Sequence, residues 1–120
     1  MTASAAISLT TGLEDPERVT VALLVAVGAA ESGRRTTMFL TKEAVRLGID
    51  GFAAGVACEG CPSIPDLLKR YDAAGGELLV CPICFNARQL EGAPLCANAT
   101  IGGTVQLWEW IGDGATTFSY

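Results

Sequence analysis

Most of the chemistry open to this chain lies in its cysteines. Four of the five come as two C-x-x-C pairs, Cys58 and Cys61 in "CEGC" and Cys81 and Cys84 in "CPIC". Nineteen residues, Pro62 to Val80, separate the pairs. That spacing falls in the range of four-cysteine zinc sites, where four thiolates close a tetrahedral shell. The same groups also suit sulfur chemistry, because a thiolate is a nucleophile and can carry a sulfane sulfur as a persulfide. The chain contains no histidine. Ser-His and Cys-His catalysis, His-ligated zinc and a histidine proton relay are therefore excluded, which leaves thiols, carboxylates, hydroxyls and a few cations.

Position along the chain separates the two pairs. "ELLVC" reads as a buried strand ending at Cys81, and Pro82 then opens a helix with Cys84 in or near its first turn. Backbone N–H groups and the helix dipole at such a turn stabilise a thiolate. Arg88 follows Cys84 by four residues, one helical turn, which brings a cation towards the same place. Against this stands the plainer reading that Cys81 and Cys84 are small buried hydrophobes. Cys58 and Cys61 lie in "DGFAAGVACEGC", a Gly-rich, aperiodic stretch that reads as a loop. Packing alone explains them poorly, and they are candidate accessory thiols, a resolving or sulfur-accepting pair. Cys96, alone in "APLCANAT", reads as a packed or half-exposed spectator.

The elements that position these residues alternate between strand and helix. "AAISLT" is a buried strand, and Asp15, Pro16 and Glu17 then give N-cap, first position and first turn of a helix running to a stop at Gly33. That helix, "RVTVALLVAVGAAESG", is apolar on nearly every face, more than a sheet alone can cover, so contact with another subunit is expected. "TTMFLT" is a second strand, followed by a short helix "KEAVRL" between Thr41 and Gly48. Ser63 and Asp66 cap a further helix, with Leu67, Leu68 and Tyr71 on one face and Gly75-Gly76 ending it. After the third strand, "ELLVC", a helix is expected around Phe85 to Leu90. "ANATIGG" holds a short strand, "TVQLWEWIG" a helix and "ATTFSY" the last strand. This order predicts one α/β domain over residues 1–120, three layers about a mainly parallel sheet with right-handed crossovers. Ligands and reactive groups in such sheets gather at the carboxyl ends of the strands, where Thr10-Thr11-Gly12, the CEGC loop and Cys81 all fall.

Composition narrows the function classes. Thirteen acidic residues against eight basic ones give a formal charge of −5. No basic cluster exceeds Arg34-Arg35 or Lys69-Arg70, so a nucleic-acid partner is not expected. The opening "MTASAA" lacks the basic start of an export signal, and the most apolar stretch, Val19 to Ala30, is too short to span a bilayer. A cytoplasmic protein without a membrane segment is expected, a setting in which paired cysteines are more often metal-binding or redox-active than structural. Thr10-Thr11-Gly12 before a helix start could hold an anion, though one glycine is equally ordinary turn chemistry. Asp113 reads as a turn residue, and Trp108 and Trp110 fall on different faces of their helix.

Three stretches, "ISLTTGLEDPERVTVALLVAVGAAESGRRTTMFLTKEAVRLG", "GGELLVCPICFNAR" and "LWEWIGDGATTFSY", resemble the DsrE/DsrF-like proteins over nearly the whole chain. The resemblance implies a five-stranded, flavodoxin-like α/β fold that assembles into trimers or hexamers. It implies a sulfur carrier, sulfurtransferase-like rather than a small-molecule turnover enzyme, that passes a cysteine persulfide to a protein partner without a flavin or metal. Cys81 matches the reactive cysteine after the third strand, and Arg88 matches an arginine of the next helix. The CPIC pair departs from the single cysteine typical of sulfur-relay members, and CEGC lies outside their motif. The expectation is thus a persulfide at Cys81, with Cys84 as the exchanging thiol and Arg88 steadying the anionic sulfur. Two alternatives stand beside it: a zinc-stabilised module using Cys58, Cys61, Cys81 and Cys84, and an oligomeric α/β protein whose thiols are incidental.

Overall fold

The short apolar runs read as strands become strands of one parallel sheet. The computed structural model describes residues 3–120; residues 1–2, part of "MTASAA" and of the expected 1–120 domain, lie outside the described residues. In chain order the elements are β1 (Ser4–Leu9), α1 (Pro16–Glu31), β2 (Arg35–Leu40), a 3₁₀ segment (Lys42–Gly48), α2 (Ile64–Ala73), β3 (Glu77–Val80), α3 (Pro82–Ala87), β4 (Ala99–Ile101), α4 (Thr104–Ile111) and β5 (Thr116–Ser119). The strand order is β4-β3-β2-β1-β5 and every pairing is parallel. Chain order moves one way from β1 to β4 and then crosses back to β5. With right-handed connections, this puts α1 and α2 on one face and α4 on the other. The fold is a three-layer α/β sandwich.

Register sets which side chains meet. Ile7 pairs with Met38 and Leu9 with Leu40, while Met38 and Leu40 pair with Leu78 and Val80. These residues share one face, and all are almost completely buried. Val19, Leu23 and Val27 of α1 and Leu67 and Tyr71 of α2 complete that layer. Each large side chain so buried contributes roughly 1.5–3 kcal/mol of transfer free energy. The Tyr71 hydroxyl donates to the Glu77 carbonyl at 2.6 Å, with the Thr36 carbonyl at 3.3 Å. Burial, and then the negative charge of Glu77, raise its pKa far above the ordinary phenol value.

The helix ends follow the local chemistry of the sequence. Asp15 accepts from the Arg18 N–H with Pro16 at the first position, and Ser63 accepts from the Asp66 N–H. Two elements differ from the sequence reading. "KEAVRLG" winds as 3₁₀ rather than α-helix, and Thr41 makes no side-chain cap. Gly48 there sits so close to Val80 that a Cβ would lie 2.7 Å from its Cγ2, which holds the segment tight against the sheet. The helix after Cys81 is also shorter than the expected reach to Leu90. It ends at Ala87, because Gln89 takes a positive φ of 56° and turns the chain.

α4 lies on the opposite face, and none of its residues is fully buried. Trp110 anchors it: its Nε1–H donates to Glu77 at 2.8 Å, and the Arg35 guanidinium lies 4.2 Å from the ring centre. Trp108 points away and is 68% exposed. Among the described residues no helix is long and apolar enough to cross a membrane.

Candidate functional site

A parallel sheet puts the loops that follow its strands along a single edge. At this edge the turns after β1, β2 and β3 come into contact. Gly12, in the turn after β1, packs so tightly on the 3₁₀ segment that a Cβ would lie 2.7 Å from the Glu43 carbonyl oxygen. Glu43, one residue after Lys42, in turn holds Arg88, the C-cap residue just beyond α3. The turn after β4 joins from the other side, where Gly103 approaches the Pro82 ring.

Cys81 occupies the strand-to-helix turn as the N-cap of α3, one residue beyond the strand that the sequence reading had it end. Its N–H donates to the Leu40 carbonyl at 3.0 Å and its carbonyl accepts from the Phe85 N–H at 3.0 Å. These bonds fix the residue from both sides, and it is 8% exposed. The Cys81 sulfur makes no capping bond to the first turn, and Pro82 contributes no N–H. The Ile83 and Cys84 amides therefore occupy the two positions that an N-cap acceptor ordinarily serves. Cys84 is half-buried within the helix, while Ile83 between the two cysteines is 79% exposed.

The Arg88 guanidinium is already engaged. It donates to the Glu43 carboxylate and, at 3.1 Å, to the Cys84 carbonyl. Glu43 also accepts from Arg46 at 2.9 Å. A carboxylate between two guanidinium groups favours its charged form, so the Glu43 pKa is lowered, first by the Arg88 hydrogen bond and then by Arg46. Arg88 thus grips the backbone of α3 and the segment after β2, and its charge is shared with Glu43 rather than free beside the Cys84 sulfur.

Cys58 and Cys61 are joined to each other as a disulfide, with Cα atoms 5.3 Å apart. Among the described residues no group of three or more Cys, Asp or Glu side chains is drawn together as a metal site. Cys96 lines a cavity of about 340 Å³ towards the amino ends of β3 and β4, with Ile49, Phe52, Leu68 and Asn98. Burial, and then the charge of Asp50, raise its thiol pKa. The Thr10-Thr11-Gly12 turn holds its own acid: the Gly12 N–H donates to Glu14 at 2.7 Å, which supports the turn reading over an anion site.

The sequence profile of the DsrE/DsrF-like family matches residues 3–120. The chain belongs to this family. The crystal structure of the ychN protein from E. coli shares the fold, with a TM-score of 0.81 at 22% identity over 99% of this chain and 100% of that one. No curated protein matches the chain. Membership of the DsrE/DsrF-like family supports a sulfur-relay role with protein partners at the level of the family.

Sequence reasoning singled out Cys81, Cys84 and Arg88 as candidates and did not single out Glu43, which the structure pairs with Arg88. The signal available was an acid in the first turn after β2, at the edge where Arg88 also falls. Its partner is 45 residues away in the chain, which no local pattern reveals.

Proposed function

We propose that this DsrE/DsrF-like protein is a sulfur carrier that holds a persulfide on Cys81 and passes it to a protein partner. The observation that carries this reading is the place of Cys81: it is the N-cap residue of α3 at the carboxyl end of β3, where the sequence resemblance implies the reactive cysteine, with Cys84 one turn on. An anionic persulfide at an N-cap accepts hydrogen bonds from the second and third helical amides, here those of Ile83 and Cys84. With only six residues in α3, these local bonds count for more than any helix dipole. Cys84 serves as the exchanging thiol. Arg88 acts as a positioning residue, holding α3 through the Cys84 carbonyl while Glu43 balances its charge. Exposed Ile83, beside the sulfur, gives an incoming partner an apolar foothold.

Assembly into a homo-oligomer is part of this proposal. Val21 and Leu24 of α1 and Phe118 of edge strand β5 are between 43% and 47% exposed. Phe118 also lines a groove of about 390 Å³ with Ala5, Ile7, Val25 and Ala29. A second copy of the chain would cover this face. To test the carrier role, the reduced protein is exposed to a persulfide donor and its intact mass is measured. A gain of about 32 Da, one sulfur atom, is expected for the wild type and not for Cys81→Ser. Equal gain in both would rule out Cys81 as the carrier.

A further inference from the structure

The Cys58–Cys61 bond closes the shortest ring a C-x-x-C pair can make, with a sequence separation of three. Cross-links stabilise mainly by restricting the unfolded chain, and the effect grows with the length of loop enclosed. A ring this small restricts little. Its shape is, moreover, already set by the backbone. The Cys61 N–H donates to the Cys58 carbonyl at 3.0 Å, Gly60 supplies the positive φ of 76° that such a turn needs, and the Ile64 N–H donates to the Val56 carbonyl at 3.0 Å. The two sulfurs would thus stay side by side with the covalent bond broken. That is the arrangement required of a reversible couple and is redundant in a structural staple.

The surroundings of the two sulfurs differ. Cys58 Sγ lies 3.7 Å from the Thr20 hydroxyl on α1, which itself donates to the Pro16 carbonyl at 2.7 Å and so keeps its lone pairs free to accept. Cys61 Sγ lies 3.7 Å from the Glu59 carbonyl of its own turn. Exposed Glu59, Gly60 and Pro62 flank it. An approaching thiol therefore meets Cys61 first, while Cys58 is backed by a group able to receive an S–H.

We propose that Cys58 and Cys61 form a thiol–disulfide exchange site, separate from Cys81, that takes electrons from an external dithiol. The thiolate of that dithiol attacks Cys61 Sγ. The Cys58–Cys61 bond breaks, and its electron pair leaves on Cys58, which takes up a proton and donates the resulting S–H to Thr20. The second thiol of the reductant then attacks its own sulfur in the mixed disulfide and releases Cys61. The pair gains two electrons and two protons, and the external dithiol becomes a disulfide.

The test uses the full chain in its folded state. Air-equilibrated protein is treated with dithiothreitol, quenched, denatured and alkylated, and the peptide carrying residues 58–61 is weighed. Full alkylation of both cysteines after native reduction is expected, with unchanged circular dichroism and renewed disulfide on adding glutathione disulfide. Resistance to reduction until the protein is unfolded, or failure to re-form the bond, would overturn the proposal. In a second arm, reduced Cys58→Ser, which keeps Cys61, is expected to form a mixed disulfide with glutathione disulfide, releasing one glutathione thiolate, roughly tenfold faster than Cys61→Ser. Equal rates, or the reverse order, would overturn the assignment of Cys61. Because both arms are read on this peptide alone, a failure of the persulfide reading at Cys81 leaves their outcome unaffected.

Discussion

Glu43 is where the residue scale matters most, because its carboxylate ties the segment after β2 to Arg88 beyond β3 while its backbone packs against Gly12 in the turn after β1. Its pKa in the folded protein lies below that of the unfolded chain. The stabilisation is therefore full above the ordinary carboxylate range and is lost as pH falls through the lowered value. Glu43→Gln is expected to destabilise the protein near neutral pH by at most about 1 kcal/mol, since the pair is partly solvated. The gap should vanish in acid, and urea unfolding of both proteins across that range checks it. A constant gap would mean that Glu43 acts through packing. Ile83 makes a different case: substitution by Glu is expected to leave sulfur loading on Cys81 intact and to slow hand-off to a partner protein. A discharge assay with an acceptor separates the two steps.

At the scale of elements, the sequence showed strands and helices well wherever local chemistry decided them. Asp15-Pro16 and Ser63–Asp66 began helices as their side chains dictate, and the apolar runs of β1, β2 and β3 matched their burial. What local patterns missed came from tertiary packing. The 3₁₀ winding after β2 follows from Gly48 lying against Val80, and the early end of α3 from the turn at Gln89. The site divided in the same way. The strand-to-helix turn at Cys81 and Cys84 was legible locally, whereas the Glu43–Arg88 pair depends on how the loops fold back. The spacing that suggested a four-cysteine cluster says nothing about where its intervening helix and strand carry each pair. One close contact gives a direct prediction. A Cβ on Gly76 would lie 2.2 Å from the Tyr71 ring, and that ring is fixed in the core. Gly76→Ala is expected to cost roughly 1–3 kcal/mol by overpacking, measurable by thermal or denaturant unfolding.

The whole molecule presents two unlike surfaces. One is the carboxyl edge, where the turns meet around Cys81. The other is the apolar face of α1 and β5, where an edge strand and exposed Leu24 and Phe118 invite a second copy. Light scattering is expected to find an oligomer for the wild type and a smaller species for Leu24→Glu; a wild-type monomer at high concentration would refute that interface. The central claim, that sulfur rides on Cys81, is tested most directly by locating it. After loading with a persulfide donor and trapping with an alkylating agent, peptide mass spectrometry should place the extra sulfur on Cys81, with none on Cys58, Cys61 or Cys96. Sulfur found chiefly on one of those three, or on none of the five cysteines, would contradict the claim.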